Sequence, residues 1–226
     1  MWQHCRVSTS PLPLATSSLT DALYTSLRAR IINGEIAQGE KLTENRIATE
    51  YNVARPTAKA CLERLLTLGL LRRTAHKTAV VPVLGVDDVR DLFLTRELVE
   101  TSAVTTLAHG GTTPSSVRRT QDAMELASRS GNFRDQVAAD ADFHALIVRE
   151  TGSERLTRMH ELILGEVQMT MGLYSAHQTA PAHSVAAEHA AVIAAIDSGD
   201  VDLAARHMRE HLRAARDRIL DQMAQD

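Results

Sequence analysis

Asp140 and His144 stand four residues apart in RDQVAADADFHALIVRE, a stretch whose apolar spacing predicts a helix. Side chains four apart leave the same helical face, so one carboxylate and one imidazole can share a divalent ion. Asp142 competes with Asp140, but it lies about 200° around the helix from it and opposite His144. Accepting His144 therefore selects Asp140. His189, in EHAAVIAAIDSGD, and His207 and His211, in RHMREHL, sit on two later helical stretches. Folding those helices against the first can bring imidazoles to the Asp140 and His144 face, inside a bundle core where such sites are commonly built. Periodicity leaves both His207 and His211 open. Three His and one Asp suit a borderline divalent ion, zinc first, with nickel, iron or manganese as alternatives. The chain has ten His, and a single His on a helix is usually solvated or packed, so no one of them carries the reading alone.

A second pair, Arg96 and Glu100, is also spaced i, i+4. One reading is an ion pair worth a few tenths of a kcal/mol. The other places Arg96 in a ligand pocket, where its two-pronged donor geometry holds a carboxylate. Glu100 is read as structural in both.

The elements that must position these groups are helices. From residue 87 onward the pattern predicts helices near 87–109, 115–130, 133–151, 154–174, 183–198 and 200–224, with Asp87 or Asp88 capping the first. Breaks fall at Gly110-Gly111 with Pro114, Gly131-Asn132, Thr151-Gly152-Ser153, Thr179-Ala180-Pro181 and Ser198-Gly199-Asp200. No strand pattern, phosphate-cradling glycine loop, nucleophile elbow or paired-Cys zinc signature occurs there.

Residues 1–85 read differently. Leu19 to Asn33 is an amphipathic helix through Leu23, Leu27, Ile31 and Ile32. Lys41 to Val81 then reads as two short helices across a tight turn, followed by a two-stranded wing. Leu42, Ile47 and Ala48 form the first helix's apolar face, with Thr43 as N-cap. Asn52-Val53-Ala54 makes the turn. The second helix opens at Arg55-Pro56, where Pro costs no hydrogen bond, and Gly69 ends it. Leu70-Leu71 and Ala79-Val80-Val81 form the hairpin, with Arg72, Arg73, His76 and Lys77 near its tip. This is the helix-turn-helix plan. Arg55, Thr57 and Lys59 occupy the first turn of the second helix, which faces the major groove, and Arg can take guanine O6 and N7 together. Arg72 and Lys77 are expected to contact phosphates.

The segment IINGEIAQGEKLTENRIATEYNVARPTAKACLERLLTLGLL resembles the winged-helix DNA-binding domain of GntR-type bacterial transcription regulators. Arg96…Glu100, Asp140-Ala-Asp-Phe143-His144, His189 and Arg206-His-Met-Arg-Glu-His211-Leu resemble the all-helical FCD effector domain of that family's FadR-like branch, in its smaller six-helix version. The two resemblances span residues 19–224 in the family's own order. They imply that Asp140, His144, His189 and His211 are the metal ligands, that Arg96 binds effector, and that Arg46, Arg55, Thr57, Lys59, Arg72, His76 and Lys77 face DNA. The chain departs from the family's pattern at Lys59 (commonly Arg), Ala54 (Ser or Thr), Asn45 (a basic residue) and His76 (a wing glycine). The missing cap at Ala54 costs about 1 kcal/mol.

Bulk properties agree with that plan. Hydrophobic content of 44% with 3% aromatics predicts a Leu-, Val-, Ile- and Ala-filled helical core. No apolar run approaches the roughly 20 residues of a membrane span. The first 18 residues lack a secretory signal's pattern and are expected to be a disordered tail. Cys5 and Cys61 have no obvious partner, which suits the cytoplasm. Residues 1–85 hold eleven Lys or Arg against six acids, and residues 86–226 fourteen against 22. A basic first part suits a polyanion.

The expected protein is therefore mainly α. Its segments are a tail (1–18), a winged helix-turn-helix domain (19–82), a linker (83–86) and an all-helical domain (87–226) for ligand, metal and dimerisation. It is expected to bind an inverted-repeat operator as a homodimer and to respond to a small carboxylate or related metabolite. A metal-dependent enzyme acting on a small organic acid and a direct metal sensor are the rival readings. Against the enzyme stand the lack of a recognisable base motif and the presence of a full DNA-binding head.

Overall fold

The computed structural model describes residues 17–74, 78–173 and 182–225. The expected tail up to residue 16, the wing-tip residues His76 and Lys77, and the break at 179–181 lie outside the described residues. No helix among those described is long and apolar enough to cross a membrane.

The N-terminal head begins with α1 (Ser17–Ile32), which buries Leu23, Leu27 and Ile31 at helical spacing. Strand β1 (Lys41–Leu42) follows, then α2 (Glu44–Glu50) and α3 (Arg55–Thr67). Thr43 caps α2 as its spacing predicts, its Oγ1 accepting from Arg46 N at 3.2 Å. Ala54 gives α3 no side-chain cap, and Pro56 sits in its first turn. Ala58, Cys61, Leu62 and Leu65 turn inward. Gly69, at φ +73°, then reverses the chain so that the N–H groups of Leu70 and Leu71 both reach Leu65 O.

The wing departs from expectation in two ways. Leu42 lies in a strand, not on the first motif helix. Leu70-Leu71 is a buried turn, and the strand is β2 (Arg72–Arg73), which pairs with β3 (Ala79–Val80). β1 pairs antiparallel on the other side of β3, Lys41 opposite Val80 and Leu42 opposite Ala79. A two-residue strand is too short to show an alternation, and β1 forms only through a partner far along the chain.

Among the described residues the body has six helices: α4 (Val86–Gly110), α5 (Ser115–Ser130), α6 (Phe133–Arg149), α7 (Glu154–Leu173), α8 (Ala182–Ser198) and α9 (Val201–Met223). Their ends agree with the sequence pattern to within two residues. The N-cap of α4 is Gly85. Its N–H donates to Asp88 at 3.0 Å, so Asp88 closes the helix from its third position, while Asp87 is exposed and pairs with Arg90. Asn132 and Asp200 cap α6 and α9. α4 packs on α9, α6 on α5 and α7, and α8 on α5, α9 and α4. The core runs through Phe93, Val104, Phe143, Ile147, Ile196 and Met208.

Head and body meet along α7. A Cβ at Gly165 would overlap the carbonyl oxygen of Leu68, and one at Gly172 that of Ile32. Bare backbone at these two positions lets the ends of α1 and α3 lie directly on α7. Met169, between them, is fully buried in the head's core. Arg72 bridges the seam, donating to Glu166 at 3.0 Å and to Asp88 at 3.1 Å. Gly165→Ala should therefore destabilise the protein by about 1–3 kcal/mol through overpacking, although Ala is the better helix former by roughly 1 kcal/mol. Gly110→Ala, where a Cβ meets nothing within 4 Å, should be neutral or stabilising. Thermal melts of the two variants check this, and an unchanged or raised Tm for Gly165→Ala would count against the close seam.

Candidate metal centre

Asp140 and His144 project from one face of α6, one turn apart. His189 reaches them from α8 and His211 from α9. A possible ligand atom of each lies within 4.8 Å of the others. His189 Nε2 stands 3.2 Å from Asp140 Oδ1, His144 Nε2 stands 3.8 Å from Asp140 Oδ2, and the Nε2 atoms of His144 and His211 are 3.1 Å apart. Atoms about 2.0–2.2 Å from a shared ion are separated by roughly 3–4 Å. All four residues are at most 3% exposed. Phe143 stacks flat on His189, ring centroids 3.8 Å apart, and fixes its plane.

Two buried or half-buried carboxylates set the tautomers. Glu100 Oε2 accepts from His144 Nδ1 at 2.6 Å, and Glu188 Oε2 accepts from His211 Nδ1 at 2.7 Å. With Nδ1 protonated in both rings, both Nε2 atoms carry lone pairs. Those lone pairs face each other across 3.1 Å. Such an opposition is unfavourable unless a cation or an extra proton lies between them. An outer carboxylate that fixes the ring of a ligating His is a recurrent feature of metal sites.

Glu100 also accepts from Arg96 Nε at 2.8 Å and lies 3.3 Å from His160 Nε2. Burial pushes its carboxyl upward, but Arg96 and then His144 outweigh that and hold it well below the usual carboxylate range. Burial likewise raises Glu188, yet hydrogen bonds from His211 and Arg218 bring it to about 2. Desolvation pushes His144 down, against the pull of Glu100. It pushes His211 down to about 3, against its bond to Glu188. Both imidazoles are thus held neutral, the form that ligates metal.

Arg96 is wholly buried. Its Nε is bound to Glu100, while Nη1 and Nη2 have no hydrogen-bond partner among the described residues. Those donors are free for an anion. His207 lies partly exposed beside Glu210, 3.5 Å away, and Asp142 is exposed. Neither joins the cluster.

In the head, Arg55 and Lys59 are exposed and Thr57 is half-buried on the first turn of α3. Arg55 lies 3.6 Å from Glu44. Arg46 is engaged within the head, by Glu40 at 2.6 Å and the carbonyl of Lys41 at 2.9 Å. Arg72 is engaged at the seam, as described above.

Sequence reasoning read Glu100 as structural and did not reach His160, Glu188 or Arg218. The i, i+4 spacing of Arg96 and Glu100 was the one available signal. Glu188 and His189 are adjacent in sequence, so they leave their helix about 100° apart and suggest no shared site.

The buried histidines generate a pH dependence. The folded state holds His211 neutral down to about pH 3, whereas an unfolded His takes a proton near pH 6.5. Between these values the unfolded chain binds more protons, so stability falls as pH drops. Metal-free protein should lose stability from about pH 6.5 downward, by up to about 1.4 kcal/mol per pH unit for each such histidine. Urea unfolding from pH 7.5 to 5 checks this. His211→Leu should flatten the slope, and an equal slope in that variant would contradict it.

Comparison with known proteins places the chain among regulators. Residues 91–214 match the family model described as FCD domain, and residues 19–81 the one described as bacterial regulatory proteins, gntR family. An HTH-type transcriptional regulator of Paraburkholderia xenovorans, BphR, is 26% identical over 215 residues, 91% of this chain and 87% of the relative. The HTH-type transcriptional repressor NanR of an Enterobacter species is 26% identical, over 89% of this chain and 85% of its own. Among solved structures, a GntR transcriptional regulator from a Rhodococcus species superposes with a TM-score of 0.76 at 21% identity, covering 89% of this chain and 97% of the other. Escherichia coli McbR/YncC does so at 0.74 and 18%, covering 93% and 99%.

Proposed function

We propose that this chain, which belongs to the gntR family of bacterial regulatory proteins and is a DNA-binding transcription regulator with an FCD effector domain, not an enzyme, holds one divalent ion per chain and reads a small carboxylate beside it. Asp140, His144, His189 and His211 hold the ion, zinc by preference with nickel, iron or manganese as alternatives. The observation that carries this is the opposition of the His144 and His211 lone pairs at 3.1 Å, each ring fixed by its own carboxylate. When bound, the ion supplies positive charge to that point and an attachment site for an anionic ligand. Arg96 is the second anchor, its two open Nη donors matching the two oxygens of a carboxylate.

The head, in this reading, binds an inverted-repeat operator through Arg55, Thr57 and Lys59 at the start of α3. Two copies are required, because a single recognition helix contacts too little DNA for a tight specific complex. The exposed Leu94 and Leu98, one turn apart on α4, support pairing of the bodies into a homodimer. The setting is the cytoplasm. Effector binding reaches the head through a connected set of contacts: His144 to Glu100, Glu100 to His160 on α7, and α7 to the head at Gly165, Glu166 and Gly172. An effector moves that seam only by favouring one arrangement of it over another. The deep burial of all four ligands also favours a second reading, in which the ion itself is the signal. DNA affinity measured with metal alone, and with metal plus a carboxylate, separates the two.

Metal analysis after dialysis without chelator tests the centre. Wild type and His207→Ala should each retain about one ion per chain, and His189→Ala and His211→Ala should lose it. Metal should raise Tm by mass action. A wild-type chain that takes up no divalent ion would overturn the reading.

Arg55→Ala should weaken operator binding by roughly 1–3 kcal/mol and relax base preference at its position. Titrations across operator variants at fixed salt check this. Equal affinity and preference would remove Arg55 from base reading.

A further inference from the structure

One cleft stands apart from the metal centre. It lies between head and body, has a volume of about 450 Å³, and is walled by α1 on one side and by α6 and α7 on the other. We propose that this cleft is a second ligand site, for a small amphipathic organic anion that bridges head and body.

The lining carries the argument. Arg28 comes from α1 and Arg134 from the first turn of α6, so two guanidinium groups approach the cleft from opposite walls. Neither makes a hydrogen bond or ion pair with another described residue. Asp142 is the acid whose field reaches Arg28, and it is exposed and forms no ion pair with it. Gln168, on α7, is 6% exposed and lines the cleft, and its carboxamide has no hydrogen-bond partner among the described residues. Apart from Asn33, the remaining lining is apolar, with Ile32 from α1 and Phe133 and Val137 from α6.

Two cations at the mouth, one amide and an apolar wall select an anionic group attached to a hydrocarbon body. The volume falls within the range of small-molecule pockets, about 300–1,000 Å³. The positive end of α6 adds to the preference for an anion. A neighbouring groove shares Arg28 and Gln168 and adds Arg64, but Arg64 is already paired with Asp21 at 2.7 Å and the groove runs on to Glu161, which makes it the poorer anion site. Because the walls belong to both parts of the protein, an occupant stabilises one placement of the head. Its binding is therefore coupled to DNA binding, and the coupling is reciprocal.

The test uses the full chain and 1-anilinonaphthalene-8-sulfonate, an aromatic anion whose fluorescence rises in apolar surroundings. Saturable binding is expected, displaced by octanoate and benzoate and not by octylamine or benzylamine. Arg28→Gln and Arg134→Gln should each weaken it roughly three- to tenfold, and Ala138→Trp, which fills the cleft, should abolish it. His207→Ala should leave it unchanged, since that partly exposed residue lines neither the cleft nor the metal centre. Circular dichroism and melting curves confirm that the variants are folded. Operator DNA should change the dye's affinity in wild type. The proposal is overturned if no saturable binding occurs, if the double variant Arg28→Gln/Arg134→Gln binds as wild type does, if amines displace the dye as well as carboxylates do, or if His207→Ala abolishes binding.

Discussion

A carboxylate with no access to water governs the body of this protein. Glu100 is wholly buried, and a buried charge is tolerable only when it is matched and hydrogen-bonded. Its matches come from three directions: Arg96 on its own helix, His144 from α6 and His160 from α7. Removing one partner from such a group costs about 3–5 kcal/mol, so the three helices are held in one mutual register. The same carboxylate orients the His144 ring and thereby decides which nitrogen faces the cluster. Glu188 does this for His211, with Arg218 behind it. The polar centre is thus a layered arrangement, in which two of the four inner groups are aimed by outer carboxylates.

Much of this was legible in the sequence. The six body helices follow from 3.6-residue periodicity and from glycines and caps that end it, and these signals are local. Asp140 and His144 are legible for the same reason, since a spacing of four is a statement about one helix. His211 against His207 was not separable by periodicity. The resemblance made that choice, and the fold places His211 inward and His207 at the rim. Glu100 shows what a local rule misses. Its neighbour Arg96 is visible at i+4, but His144 and His160 lie 44 and 60 residues away. In the head, Arg46 and Arg72 look like free cations in sequence. One is engaged by Glu40 and the other by Glu166, and only tertiary structure supplies those acids. Strand β1 escaped notice because two residues carry no period.

The seam along α7 connects the two parts of the protein by contact rather than by a tether. Glycine at residues 165 and 172 removes the side chains that would hold the head away, and the Arg72 bridges then span a short gap. α7 also carries His160 toward Glu100, so one rigid element touches both the polar centre and the head. A shift of α7 by a fraction of its own diameter would break contacts at both ends together, because packed interfaces hold discrete arrangements rather than a continuum.

Met169 adds a consequence for how such chains can be recombined. It projects from α7 and lies fully buried among the leucines and isoleucines of the head. The head does not close its own core; a side chain from the body closes it. A head grafted onto a foreign body would bring a vacancy shaped for that methionine, and a body grafted beneath a foreign head would present a thioether with nowhere to go. The two halves are therefore tied to co-inheritance, and a change in the size of either partner at this point calls for a matching change across the seam.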